Sequence, residues 1–141
     1  MKRKNKYLVE DFMHSAVIAV KESDPIRSAE FEMNVAAIRH MPVIDEKNHV
    51  IGVLSHRDVV RVLATSSRST PVAEVMSRAV QTVRPSTLAN EAAAMMIEQK
   101  IGCLPVVNDA EEIVGIITTT DFLVAVERAL RGLDLLPNGE A

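Results

Sequence analysis

GVLSHRD, Gly52 to Asp58, and GIITTTD, Gly115 to Asp121, are the two stretches on which the reading of this chain turns. Each runs glycine, an apolar pair, Ser or Thr, two variable residues and Asp, and the second lies 63 residues after the first. Outward from them the same offset returns Met13 as Met76 and Pro42 as Pro105. It also sets RHMPVID, Arg39 to Asp45, against GCLPVVN, Gly102 to Asn108. An offset kept without a gap over about fifty positions marks one supersecondary unit built twice.

Within each copy the hydrophobic periodicities follow one order. Val17 to Val20 and Val80 to Val83 are β-branched runs that read as first strands, each followed by a helix start. Asp24 is placed to cap one helix, with Pro25 at its first position, and Thr87 to cap the other, followed by Leu88. The helices carry Ile26, Ala29, Met33 and Ala37, or Ala92, Met95 and Met96, at spacings of three and four. Strands follow at Met41 to Ile44 and Leu104 to Val107, then polar turns, second strands at Val50 to Leu54 and Ile113 to Ile117, and closing helices at Arg57 to Ala64 and Thr120 to Leu130. Each copy is thus βαββα: a crossover helix makes a parallel pair and a short turn adds an antiparallel neighbour.

The expected boundaries are a basic N-terminal tail at 1–8, a first domain at 9–65, a linker at 66–71, a second domain at 72–131 and a tail at 132–141. TSSRSTP, Thr65 to Pro71, is polar and aperiodic, and too short to separate the copies. One repeat of about 60 residues is marginal as an independent fold, so the two are expected to share a core. Gly132 reads as the last helix stop; Leu133, Leu135 and Leu136 leave open whether the final segment docks.

Apolar residues make up 48% of the 141, and aromatics only 3%, so a bound base would sit among aliphatic side chains and backbone. The net charge of −3 is interspersed rather than gathered into a basic stripe, which argues against nucleic acid as a partner. The basic cluster Lys2, Arg3, Lys4 and Lys6 reads as a solvated tail. No stretch approaches a signal peptide core or the roughly 18 apolar residues of a membrane span. A lone cysteine, Cys103, excludes an internal disulfide, and a reducing cytoplasm is the expected location. His14, His40, His49 and His56 lack metal-ligand spacing, so no metal site is expected; Cys103 reads as a small buried residue and Met95 and Met96 as core. Nothing proposes a catalytic constellation.

With the paired heptads, the openings VEDFM and VAEVM, and the proline-valine strands IRHMPVID and IGCLPVVN, the chain resembles a tandem pair of CBS (cystathionine β-synthase) domains over about Val9 to Leu130. The resemblance implies an α/β fold of two βαββα CBS repeats packed sheet to sheet with pseudo-twofold symmetry, leaving two clefts. It further implies a regulatory ligand, AMP, ADP, ATP or S-adenosylmethionine, and pairing into a homodimer. Fold resemblance alone does not settle activity.

Ser55 to Asp58 and Thr118 to Asp121 have the form of a capping box, which helices use with no ligand. A helix N-terminus also offers backbone donors and a positive dipole end to a phosphate. The resemblance gives Asp58 and Asp121 the ribose hydroxyls. His56 and Arg57 in the first copy could meet phosphate where Thr119 and Thr120 in the second carry no charge, so unequal clefts are expected, the first favoured. By the same analogy the base lies near Val17 and Ile18 or Val80, and Met41, Pro42 and Val43 or Leu104, Pro105 and Val106; for each of these, core packing competes with ligand contact.

The leading reading is a non-enzymatic sensor of an adenine nucleotide or adenosyl ligand, acting on an effector protein in trans. The alternative is a ligand-free dimerisation or scaffold module whose heptads only cap helices. An enzyme acting on the bound nucleotide is the third.

Overall fold

The computed structural model describes residues 6–137; Lys2, Arg3 and Lys4 of the basic cluster, and the last four residues of the C-terminal tail, lie outside them. The described chain forms two compact units that do not follow the sequence repeat. A central unit holds 18–81 with 111–113. A terminal unit holds 6–17, 82–110 and 114–137.

The central unit contains β1 (Val20–Lys21), α1 (Ile26–Ala36), β2 (His40–Ile44), β3 (Val50–Ser55) and α2 (His56–Thr65). Its sheet runs β1-β2-β3, with β1 parallel and β3 antiparallel to β2, Val20 opposite Val43 and Met41 opposite Leu54. Helix α1 buries Ile26, Ala29 and Met33, the three-and-four spacing of one face, against Val20, Met41, Val43, Leu54 and Val59. The terminal unit contains α3 (Ala89–Gln99), β4 (Cys103–Val107), β5 (Ile113–Thr118, apart from its first residue) and α4 (Thr119–Leu130), with β4 paired to β5. Ala92 and Met96 of α3 pack with Val83, Leu104, Val106 and Ile117.

Each unit is completed by the opening segment of the other repeat. In the terminal unit Val9 is fully buried, Val9 N donates to Thr87 O (2.8 Å) and Ala89 N to Tyr7 O (2.8 Å). In the central unit Val72 is fully buried, Val72 N donates to Asp24 O (2.8 Å) and Ile26 N to Thr70 O (2.8 Å). The pairs are related by the 63-residue offset, so an exchange of openings is part of the repeat. Tyr7 and Leu8, which the sequence places in the tail, and Thr70 and Pro71, which it places in the linker, are therefore built into packed units.

This exchange explains why four landmark residues recur between the two repeats. A Cβ on Gly52 would stand 2.6 Å from the sulfur of Met76 and 3.1 Å from Ser77 O. One on Gly115 would stand 2.7 Å from the sulfur of Met13 and 3.0 Å from His14 O. Beside each glycine the backbones bond reciprocally: Val53 with Ser77 (3.0 and 2.9 Å) and Ile116 with His14 (2.9 Å each way). Glycine and methionine recur together because one lies on the other.

Two expectations are corrected. The first strands are shorter than the β-branched runs: β1 is only Val20–Lys21, and Val83 makes a single parallel bridge to Val106. Val17 N bonds Ser15 O and Val80 N bonds Arg78 O (3.0 Å each), tight turns that hold these residues off a sheet ladder. Asp24 and Thr87 do not cap helices. Asp24 accepts from Lys21 N (2.9 Å) and Thr87 from Arg84 N (2.9 Å), closing the turn before each helix. Pro25 and Leu88 are extended N-caps, and the first helical N–H goes to a carbonyl of the exchanged segment instead.

At the other end of the helices, Ala37 and Lys100 take the left-handed conformation rather than continuing the helix. Gly132, at φ +81, stops α4 as expected, and the following segment docks through buried Leu136, whose carbonyl accepts from Arg128 (3.0 Å). Leu133 stays exposed.

Candidate ligand site at the two heptads

Each heptad is a strand running straight into a helix. β3 ends at Ser55 and α2 begins at His56; β5 ends at Thr118 and α4 begins at Thr119. Ser55 and Thr118 are extended N-caps whose hydroxyls accept from Asp58 N (3.1 Å) and Asp121 N (3.4 Å). The backbone turn is fastened identically in both, His56 N to Arg39 O (2.8 Å) and Thr119 N to Gly102 O (3.1 Å). The helix N-terminus is therefore the same in both units.

The aspartates diverge. Asp121 closes a reciprocal capping box: its Oδ2 accepts from Thr118 N (2.9 Å), with Thr118 Oγ1 at 3.2 Å. Its Oδ1 accepts from His14 Nε2 at 2.5 Å, and the Asp121 side chain is 9% exposed. Asp58 makes no such box. Its Oδ1 accepts from Arg61 Nη2 (2.6 Å), its side chain is 25% exposed, and Oδ2 has no partner among the described residues.

Sequence explains this divergence at positions the heptads do not include. Arg61, one helical turn past Asp58, has Val124 as its counterpart, so Asp121 has no cation one turn along its own helix. Conversely His14 has Ser77 as its counterpart, exposed and without a side-chain partner among the described residues. His14 was missed as a site residue because its partner lies 107 positions away. The usable signal was its place directly after Met13, a landmark of the repeat.

The other expected residues fall as follows. His56 is half-buried and Arg57 exposed at the start of α2, neither with an ion pair among the described residues. Thr119 and Thr120 are exposed at the start of α4. Met41, Pro42, Val43, Leu104, Pro105 and Val106 are buried; Met41 and Val43, and Leu104 and Val106, lie in the cores of their units. Val17, Ile18 and Val80 are half-buried, and Ile18 packs on the central core. Core packing claims the strand side chains, leaving their backbone as the part able to read a base edge.

His40 and Cys103 occupy equivalent places at the start of β2 and β4. Burial, with Arg39 adding repulsion, holds the His40 imidazole below its ordinary pKa, and burial pushes the Cys103 thiol up to about 12. Cys103 is thus a thiol at neutral pH, unfit as a nucleophile. Among the described residues no three His, Cys, Asp or Glu side chains gather into a metal set, and no helix is long and apolar enough to cross a membrane.

The CBS domain family model matches residues 9–65 and 72–128, and the chain belongs to that family. The chain is similar to solved CBS-type structures throughout. With a structure assigned to acetoin utilization, AcuB of Vibrio cholerae, it shares 34% identity at a TM-score of 0.80, covering 89% of this chain and 94% of that one. With the CBS domain pair of protein MJ0100, in complex with 5-methylthioadenosine and S-adenosyl-L-methionine, it shares 27% at 0.78, covering 90% and 98%. With CBSX2 in complex with AMP it shares 27% at 0.75, covering 89% and 99%. The chain spans only 21% to 24% of the length of the first curated relatives it matches.

Proposed function

We propose that this CBS pair is a non-catalytic regulatory module that binds an adenine nucleotide or adenosyl ligand at its heptads and signals to an effector protein in trans. The observation that carries the reading is Asp58: a carboxylate with one oxygen unpartnered among the described residues, on a helix N-terminus beside Arg57 and His56, which form no ion pair among them. A carboxylate suits the vicinal hydroxyls of a ribose, and the helix end with its cations suits phosphate. The binding of AMP and of adenosyl compounds by similar structures supports the ligand class. Binding stabilises whichever arrangement of the repeats it favours, and the effector reads that population.

Pairing with a second copy is part of the proposal. Leu123, Val126 and Leu130 form an exposed apolar stripe along α4, at spacings of three and four, and Phe31 and Val35 do so on α1. Sedimentation velocity should show a dimer.

Calorimetry with AMP, ATP and S-adenosylmethionine tests the ligand. Wild type should release or absorb heat with at least one of them, and Asp58→Ala should lose about tenfold or more in affinity if a charge-assisted hydrogen bond to ribose is removed. Absence of heat with all three would overturn the proposal. A scaffold reading is favoured for the second heptad alone, where Thr118 and Asp121 already satisfy each other as a complete cap.

A further inference from the structure

We infer that His14 is an internal latch on the second heptad: it occupies the Asp121 carboxylate oxygen that a ribose would need, so that a ribonucleotide reaches Asp121 only by displacing the imidazole. The inference rests on the ribose reading of the heptad aspartates proposed above.

Three features hold the latch closed. Met13 seats its sulfur on Gly115, His14 bonds its backbone both ways to Ile116 (2.9 Å each), and Ile116 lies two residues before Thr118. Residue 14 is therefore anchored beside the end of β5, within one side chain's length of the α4 N-terminus. From there Nε2 donates to Asp121 Oδ1 at 2.5 Å while Thr118 N occupies Oδ2. Both oxygens are engaged before any ligand arrives.

A ribose offering two hydroxyl donors must therefore replace a charge-assisted hydrogen bond as well as water. The imidazole itself is 65% exposed and makes no other hydrogen bond or ion pair among the described residues, so it is free to swing into solvent once released. Asp121 keeps its box with Thr118 in either position, which separates the latch from the helix cap. The central unit lacks the device: Ser77 stands at the equivalent place and, among the described residues, the Asp58 carboxylate is held only by Arg61, a solvent-exposed neighbour on the same helix. Such exposed pairs are weak and easily exchanged.

Titration with AMP by calorimetry tests this on wild type, His14→Ala and His14→Gln, each also combined with Asp121→Ala. Wild type should bind one AMP, lost or weakened in Asp58→Ala. His14→Ala should bind a second, at least about tenfold tighter than any second event in wild type, and adding Asp121→Ala should abolish the gain. Because the Gln amide still donates to Oδ1, His14→Gln should resemble wild type. In the free protein, the imidazole ¹⁵N resonances of His14 should move when Asp121 is changed to Asn.

Several results would overturn the latch. One is Asp58-dependent AMP binding in wild type with no change in His14→Ala; another is an equal gain in His14→Gln; a third is a His14 resonance indifferent to Asp121→Asn. If neither wild type nor His14→Ala binds AMP, the nucleotide reading of the heptads fails first and the latch falls with it. That pattern is distinguished by the absence of any Asp58-dependent heat.

Discussion

Asp58 and Asp121 stand at the same place in the same heptad, at the same position of two helices fastened by matching backbone bonds, yet their carboxylates do different things. One turns outward to Arg61 and keeps an oxygen open; the other is drawn inward by Thr118 and His14 until both oxygens are engaged. The contrast teaches that a repeated motif specifies a scaffold, while the state of its reactive group is set by side chains outside the motif. Here two substitutions at equivalent positions, Arg61 against Val124 and His14 against Ser77, are enough.

The largest expected effects probe what the two units share. Gly52→Val and Gly115→Val each force a side chain into a methionine sulfur and a backbone carbonyl, and each should cost about 1–3 kcal/mol in urea unfolding. Truncating Met76 or Met13 to Ala in the same background should recover part of that cost, because the carbonyls of Ser77 and His14 remain. A large loss at one glycine and none at the other would break the equivalence of the two exchanges.

Next comes the point where the units differ. Asp121→Ala removes a reciprocal cap and the His14 bond and should destabilise by about 1–2 kcal/mol, whereas Asp58→Ala loses an exposed pair and should cost about 0.5 kcal/mol or less. Chemical denaturation of the two variants measures this directly, and equal losses would show that Asp58 closes a cap in solution too.

The last effects are in pH dependence, smallest near neutral pH, and they have opposite directions at equivalent positions. The His40 pKa is lower folded than unfolded, so the unfolded chain binds the proton first. The stability from neutral His40 is complete above its unfolded value near 6.5 and declines as pH falls through the window below it. Cys103 is raised to about 12 from an ordinary 9.0, so its contribution is complete below 9 and is lost as pH climbs towards 12. His40→Gln should flatten the acid limb of a stability profile and Cys103→Ala the alkaline limb. A profile unchanged by either variant would contradict the burial seen at both strand starts.

Much of this was legible in the residues. Apolar spacing located all four helices within a residue or two, because a helix must bury one face whatever surrounds it, and Met41 to Ile44 and Leu104 to Val107 read as strands for the same reason. Asp24 and Thr87 misled because a Ser, Thr or Asp before a helix can close a turn as readily as cap it, and the choice depended on which carbonyl arrived from elsewhere. Val17 and Val80 misled because β-branched character describes a preference for sheet, and a tight turn beside each left it without a ladder partner.

The sequence by itself determined a duplicated α/β unit, its two heptads at strand-to-helix junctions, and a charge difference between them at 56 and 57 against 119 and 120. These follow from local periodicity and an internal offset, which need no knowledge of what lies across the chain. Only the tertiary structure decided that the opening segments are exchanged, that Met13 and Met76 cover Gly115 and Gly52, and that His14 closes on Asp121. Those are contacts between residues some 24 to 107 positions apart. Nothing in the local pattern encodes such a partner, because packing and hydrogen bonding select it only after the strands and helices have formed.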